Sequence, residues 1–184
     1  REENLEIAAE TLHRVVENKE SDPGLRAEAL RSLAGQSGGD LAALVNDRLD
    51  DEAEPVARAA LELLAGIDEE MARSEIRRRV EGEMSLALRQ HAIAQLPRAS
   101  GREYLEGLLV ALRDGRLDPG LQLDVLLAAG SPAFGEVRAI VEMREEIEEA
   151  WKAAAVADPL SPWRTTLVGG DPQRGESTFR NHVA

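Results

Sequence analysis

Asp22-Pro23-Gly24-Leu25-Arg26-Ala27-Glu28-Ala29-Leu30-Arg31-Ser32-Leu33 decides how the chain is read, because its first four residues return letter for letter as Asp118-Pro119-Gly120-Leu121. Two further copies lie between them. With Arg26 as the anchor, the equivalent positions are Arg58, Arg89 and Gln122, at spacings of 32, 31 and 33 residues. Three residues past the anchor stand Ala29, Leu61, Ala92 and Val125; seven past it stand Leu33, Ala65, Leu96 and Ala129. One residue before it stand Leu25, Ala57, Leu88 and Leu121. Only the position four past the anchor breaks ranks, reading Leu30, Glu62, Ile93 and Leu126. Self-similarity at a fixed period of this length is the mark of a repeat architecture.

Each unit reads as two helices. Proline in the first helical turn costs no backbone hydrogen bond, and an acid or serine before it can cap the orphan amides. Asp22-Pro23, Glu54-Pro55, Asp118-Pro119 and Ser131-Pro132 have this form. Second helices are therefore expected at about 23–35, 55–66, 84–97 and 119–129. Amphipathic stretches at helical spacing lie between them: Leu5 to Val16, Leu41 to Leu49, a weaker one through Met71, Ile76 and Val80, and Tyr104 to Leu112. In the third, Asp68, Glu69 and Glu70 lead and Arg77, Arg78 and Arg79 trail, the order that complements the helix dipole. A last helix is expected over 132–157, with Ala133, Val137, Ile140, Ile147, Trp151 and Ala154 on one stripe that Arg144 interrupts. At 1.5 Å per residue it would run about 39 Å, to cap the array, pack along it or pair with a partner helix, with capping the expectation because a terminal repeat must cover its core face.

Composition sets the bounds. The 184 residues carry 35 acids against 22 bases, a formal net charge of −13, and 43% of them are hydrophobic, enough for a core. Only five residues are aromatic, so that core must be Leu, Ala, Val and Ile. No apolar run approaches the roughly 20 residues of a membrane span. The acidic balance disfavours a nucleic-acid binder, which needs clustered Lys and Arg against phosphate. There is no cysteine, which removes thiol chemistry, Cys-ligated zinc and thioether-attached haem from these residues. Residues 158–184 hold three acids and three bases, so the whole −13 belongs to residues 1–157.

The repeat resembles HEAT repeats of the short bacterial variety, on Asp22-Pro23 with Arg26 and Ala29, Glu54-Pro55 with Arg58, Arg89 with Ala92, and Asp118-Pro119. The resemblance covers about residues 4–157. It implies an all-α fold, a right-handed α-solenoid of about four HEAT-like helix pairs plus a long C-terminal helix and an extended tail. It also implies a structural ladder between neighbouring units drawn from Asp22, Arg26, Glu54, Arg58, Arg89 and Asp118, interrupted where Gln122 replaces arginine.

Residues 158–184 read as a linker and the start of something else. Pro159 and Pro162 exclude a helix through the connector. Gly169-Gly170-Asp171-Pro172 then reads as a helix start with Asp171 as its cap. Gly170, Asp171, Gly175 and Phe179 are similar to the opening of a c-type cytochrome domain, whose Cys-x-x-Cys-His haem-attachment motif follows shortly after. The order of HEAT array and cytochrome opening resembles large bacterial proteins that join a sugar-dehydrogenase-like propeller, HEAT repeats and a C-terminal haem-binding cytochrome c domain. The resemblance implies haem c in the full-length protein and a periplasmic or cell-envelope location. It assigns no cofactor to this stretch: His182 is not preceded by two cysteines, and no methionine follows Met143 to serve as distal ligand. The chain is accordingly expected to be an excised piece of that longer protein.

No catalytic, metal or cofactor-binding residue stands out. His13, His91 and His182 lie far apart and form no paired ligand motif. Asp50-Asp51-Glu52 with Glu54, and Glu145-Glu146 with Glu148-Glu149, read as solvated faces, and the Asp47 to Asp51 spacing is not that of a calcium loop. Gly38-Gly39 and Gly169-Gly170 lack the Lys-Ser of a phosphate loop. What remains is recognition of a protein. Glu28, Arg31, Glu62, Gln90 and Gln95 are the candidate interaction surface on the second helices, and the net charge would steer a cationic partner toward it. The expectation is a non-catalytic scaffold spacing or orienting the domains of a larger protein. The alternatives are a stand-alone cytosolic adaptor or a tetrapyrrole lyase-like HEAT enzyme.

Overall fold

The computed structural model describes residues 2–35, 41–160, 167 and 170, with side chains from Ile7 onward. Among the described residues the chain is all-helical, with nine α-helices, two 3₁₀ turns and no strand. The helices are α1 (Glu2–Glu17), α2 (Pro23–Ala34), α3 (Leu41–Arg48), α4 (Glu54–Ile67), α5 (Glu69–Glu81), α6 (Leu86–Ala94), α7 (Arg102–Arg113), α8 (Gln122–Ala129) and α9 (Arg138–Ala157). The chain divides within α5 into two compact units, Arg1–Glu75 and Ile76–Ala184.

Helix starts follow the side chains that can accept from orphan amides. Asp22 caps α2, its Oδ1 accepting from the Leu25 amide at 2.9 Å, with Pro23 in the first turn. Ser85 caps α6 through its Oγ and the Leu88 amide at 3.2 Å. Glu54, expected to cap α4, is instead its first residue; Ala53 takes the cap position and makes no side-chain bond.

Two expected helices are shorter than their sequence pattern. Asp118 and Ser131 cap 3₁₀ turns, Pro119–Leu121 and Pro132–Phe134, instead of α-helices. The first leads straight into α8. The second closes over the buried Phe134 and runs through Gly135 to an extended Val137, so α9 begins at Arg138 and spans about 30 Å.

In the unit of residues 1–75, α2 packs on α1 and α4, and α3 packs on α4. Val16, Leu30, Leu33, Val45, Val56, Leu61 and Leu64 fill the core, with Ala57, Ala59 and Ala60 on α4 small enough for close helix approach. In the unit of residues 76–184, α6 packs on α8 and on the Pro119–Leu121 turn, α7 on α8 and α9, and α8 on α9. Ile93, Leu96, Leu105, Leu109, Leu121, Val125, Phe134, Ile140 and Ile147 form that core. The positions three and seven past the anchor are buried in every copy: Ala29, Leu61, Ala92 and Val125, then Leu33, Ala65, Leu96 and Ala129. On α5 the buried stripe is Ala72, Ile76 and Val80, and Met71 lies outside it on the surface.

Leu61 is fully buried in the middle of α4. Its truncation to alanine is expected to lower the unfolding free energy by about 2–5 kcal/mol, through lost transfer energy and the cavity left behind. Urea denaturation measures this; Leu127→Ala, at a side chain 44% exposed, is expected to cost well under half as much.

Candidate functional site

Two of the anchor arginines, Arg26 and Arg89, are bound at both edges. Arg26 is 2% exposed. Its Nε donates to the carbonyl of Val16, in the last turn of α1, at 3.0 Å. Its two terminal nitrogens donate to Asp51, at 3.2 Å to Oδ1 and 2.6 Å to Oδ2. Arg89 repeats the arrangement: its Nε donates to the carbonyl of Val80, in the last turn of α5, at 3.1 Å, and Nη1 donates to Asp118 Oδ2 at 2.7 Å. Each arginine thus satisfies an orphan carbonyl at a helix end behind it and grips the acid in the turn ahead. Arg58 pairs with Glu54 one turn earlier on its own helix.

The ladder residues therefore divide by role. Arg26 takes its carboxylate from Asp51, while Asp22 spends its own on the α2 cap. Asp118 does both, accepting from the Gly120 amide with one oxygen and from Arg89 with the other. Asp51, read from sequence as part of a solvated run, has a side chain only 4% exposed. Its burial would raise its pKa. The hydrogen bond from Arg26, the Ala53 amide at 3.0 Å and the charges of Arg26 and Arg48 outweigh that and hold the carboxyl below its usual range. The Gly120 amide and Arg89 likewise lower Asp118.

The expected interaction residues fall into two groups. In the first unit, Arg31 donates to Glu28 at 2.8 Å and across to Glu62 on α4 at 3.1 Å, joining all three. In the second, Gln90 donates to the carbonyl of Gly120 at 2.8 Å, tying α6 to the following turn. Gln95 stands 3.5 Å from the His91 ring.

Gln95 also borders a cleft of about 370 Å³ between the end of α6 and α8. Ala94, Pro97, Leu127, Ala128, Gly130 and Pro132 supply its apolar and backbone walls, and Gln95, Arg98, Asp124 and Ser131 its polar groups. Asp124 is 6% exposed and accepts from the Gly170 amide at 3.3 Å. Sequence reading passed over Asp124; the signal available was its place on the buried side of α8, three residues past Leu121.

Of the trailing arginines on α5, Arg79 is buried, whereas Arg77 lies over the Tyr104 ring at 5.1 Å. Burial and the nearby Glu81 raise the Tyr104 hydroxyl well above its ordinary value. His13 and His91 are half-buried on helix faces, and no group of three metal-ligating side chains occurs among the described residues. No helix of the described residues is long and apolar enough to cross a membrane. Gly38-Gly39, Gly169, Asp171, Gly175, Phe179 and His182 lie outside the described residues. Comparison with known proteins finds no matching family model, curated protein or solved structure.

Removing one member of the Arg26–Asp51 pair leaves a buried charge without its partner. Arg26→Met or Asp51→Leu is expected to cost about 3–5 kcal/mol in urea denaturation, and the double substitution distinctly less than the sum. The pair also sets a pH dependence. The folded pKa of Asp51 lies below the ordinary value of 3.8. Its contribution is therefore full above pH 3.8 and is lost as pH falls through the depressed folded value. Urea midpoints measured down through that window should fall more steeply for the native chain than for Asp51→Asn.

Proposed function

We propose that residues 4–157 are a right-handed α-solenoid of HEAT-like helix pairs acting as a non-catalytic scaffold in a larger haem-binding, dehydrogenase-like protein. The observation that carries the repeat reading is the shared bonding of Arg26 and Arg89, 63 residues apart in sequence. Each donates Nε to a carbonyl in the last turn of the preceding helix and a terminal nitrogen to the acid in the turn ahead. Two unrelated helical hairpins have no physical reason to reproduce both bonds. Packing of α2 on α4, and of α6 on α8, supports stacking of second helices on second helices.

The scaffold reading draws on what the polar groups do. The described carboxylates and guanidinium groups that bridge helices tie neighbouring helices and their turns together, and the surface offers extended helix faces to a neighbouring domain. Haem belongs to the proposed parent protein. The residues of this chain do not suit its covalent attachment, since the sequence has no cysteine. A periplasmic or cell-envelope location follows from the same resemblance.

The coding sequence that follows Ala184 tests the parentage. A Cys-x-x-Cys-His motif shortly downstream is the expected outcome, together with a Soret band in the purified longer polypeptide. A stop codon directly after Ala184, or a longer polypeptide without haem absorbance, overturns the haem-protein reading and leaves a stand-alone adaptor.

A further inference from the structure

Gly170 is remote from α8 in sequence and lies against it in space. The last helix ends at Ala157, and Gly170 stands twelve positions past Asp158. A run of that length can reach about 40 Å from its origin in any direction. Gly170 is found on α8 of the same unit, 46 residues back, where its amide donates to Asp124 Oδ2 at 3.3 Å.

Both sides of this contact are specialised. Asp124 is 6% exposed, and a buried carboxylate must be met by donors inside the protein. A backbone amide reaches such a group only where no side chain holds the chain away. Gly170 meets that condition. Its φ of +102° lies where residues with a side chain are strained, and a Cβ added there would stand 3.3 Å from Leu123 Cδ2. Leu123 and Asp124 are neighbours on α8, so one turn of helix supplies both the acceptor and the surface against which the glycine sits. Burial of the acid, the left-handed backbone of the glycine and the close approach to Leu123 converge on one contact. We propose that Leu123 and Asp124 form a latch for Gly170, which fixes the point at which the chain leaves the second unit. The occupant is this chain's own glycine, recognised by its amide and by its lack of a side chain. The latch stands without the scaffold reading; its use as the joint that orients a following domain rests on that reading.

Amide hydrogen exchange of the full, isotopically labelled chain tests this. The Gly170 amide is expected to exchange at least about tenfold more slowly than the same glycine in an unstructured peptide of the local sequence. The amide at position 170 should lose that protection in Asp124→Ala and in Gly170→Val. Leu167→Ala, at a side chain 82% exposed, should leave it within about twofold. Because the chain has no cysteine, a pair of spin labels can be placed through Glu103→Cys on α7 and Leu167→Cys. Their distance distribution should be narrow in the otherwise native chain and should broaden when Gly170→Val is added. Gly170→Val changes no residue of the packed helices, so it decides the matter even where Asp124→Ala fails to fold. An unprotected Gly170 amide, or protection and label distances that Gly170→Val leaves unchanged, overturns the latch. Those outcomes leave the parentage untouched, because downstream sequence and haem absorbance decide that separately.

Discussion

The guanidinium of Arg26 is the constraint around which the first unit is arranged. Nearly removed from water, it must find partners for its donors inside the protein, because a buried cation without them costs several kcal/mol. It finds them in the Val16 carbonyl and both oxygens of Asp51. The first bond fixes where α1 ends relative to α2. The second fixes the turn between α3 and α4, and Asp51 Oδ1 also accepts the Ala53 amide at the α4 cap position. One side chain thereby sets the register of four helices whose packing faces, built from Ala and Leu, would tolerate sliding. An ion pair of this kind adds little net stability over an apolar replacement; its contribution lies in choosing one arrangement.

Arg89 and Asp118 show the same device under looser conditions. Asp118 is exposed and must also hold the Gly120 amide, and the Arg89 side chain is 22% exposed. Solvent screens this pair more than the Arg26–Asp51 pair, so geometry is repeated while energy is not. Gln90 adds a neutral tie to the same turn through the Gly120 carbonyl. The second unit thus fixes its turn with two modest bonds where the first uses one buried fork.

The sequence made the helical class and the repeat period legible because both rest on local chemistry: periodic apolar residues, Asp-Pro starts, and small or aliphatic residues three and seven past each anchor. Partner choice was less legible. Asp22 and Asp51 are both acids within reach of a turn, and only the fold shows that Asp22 is consumed by a cap and Asp51 by Arg26. Asp51 looked solvated because its neighbours Asp50 and Glu52 are exposed. Burial in a turn follows contacts across the chain and cannot be read from a local run. The start of α9 was misplaced for a related reason: Ser131-Pro132 is a sound helix start, and the burial of Phe134 diverts it into a 3₁₀ turn. Asp124 carries no motif, since a lone acid between Leu123 and Val125 declares itself only when the fold buries it beside the Gly170 amide.

Where one helix lies against another, the covered positions can be chosen for fit alone. On α4, Ala57, Ala60 and Leu64 are small or apolar and buried. The net charge is concentrated in the same unit, so covering its exposed helix faces with another acidic surface would add to a repulsion that residues 1–75 already bear at −11.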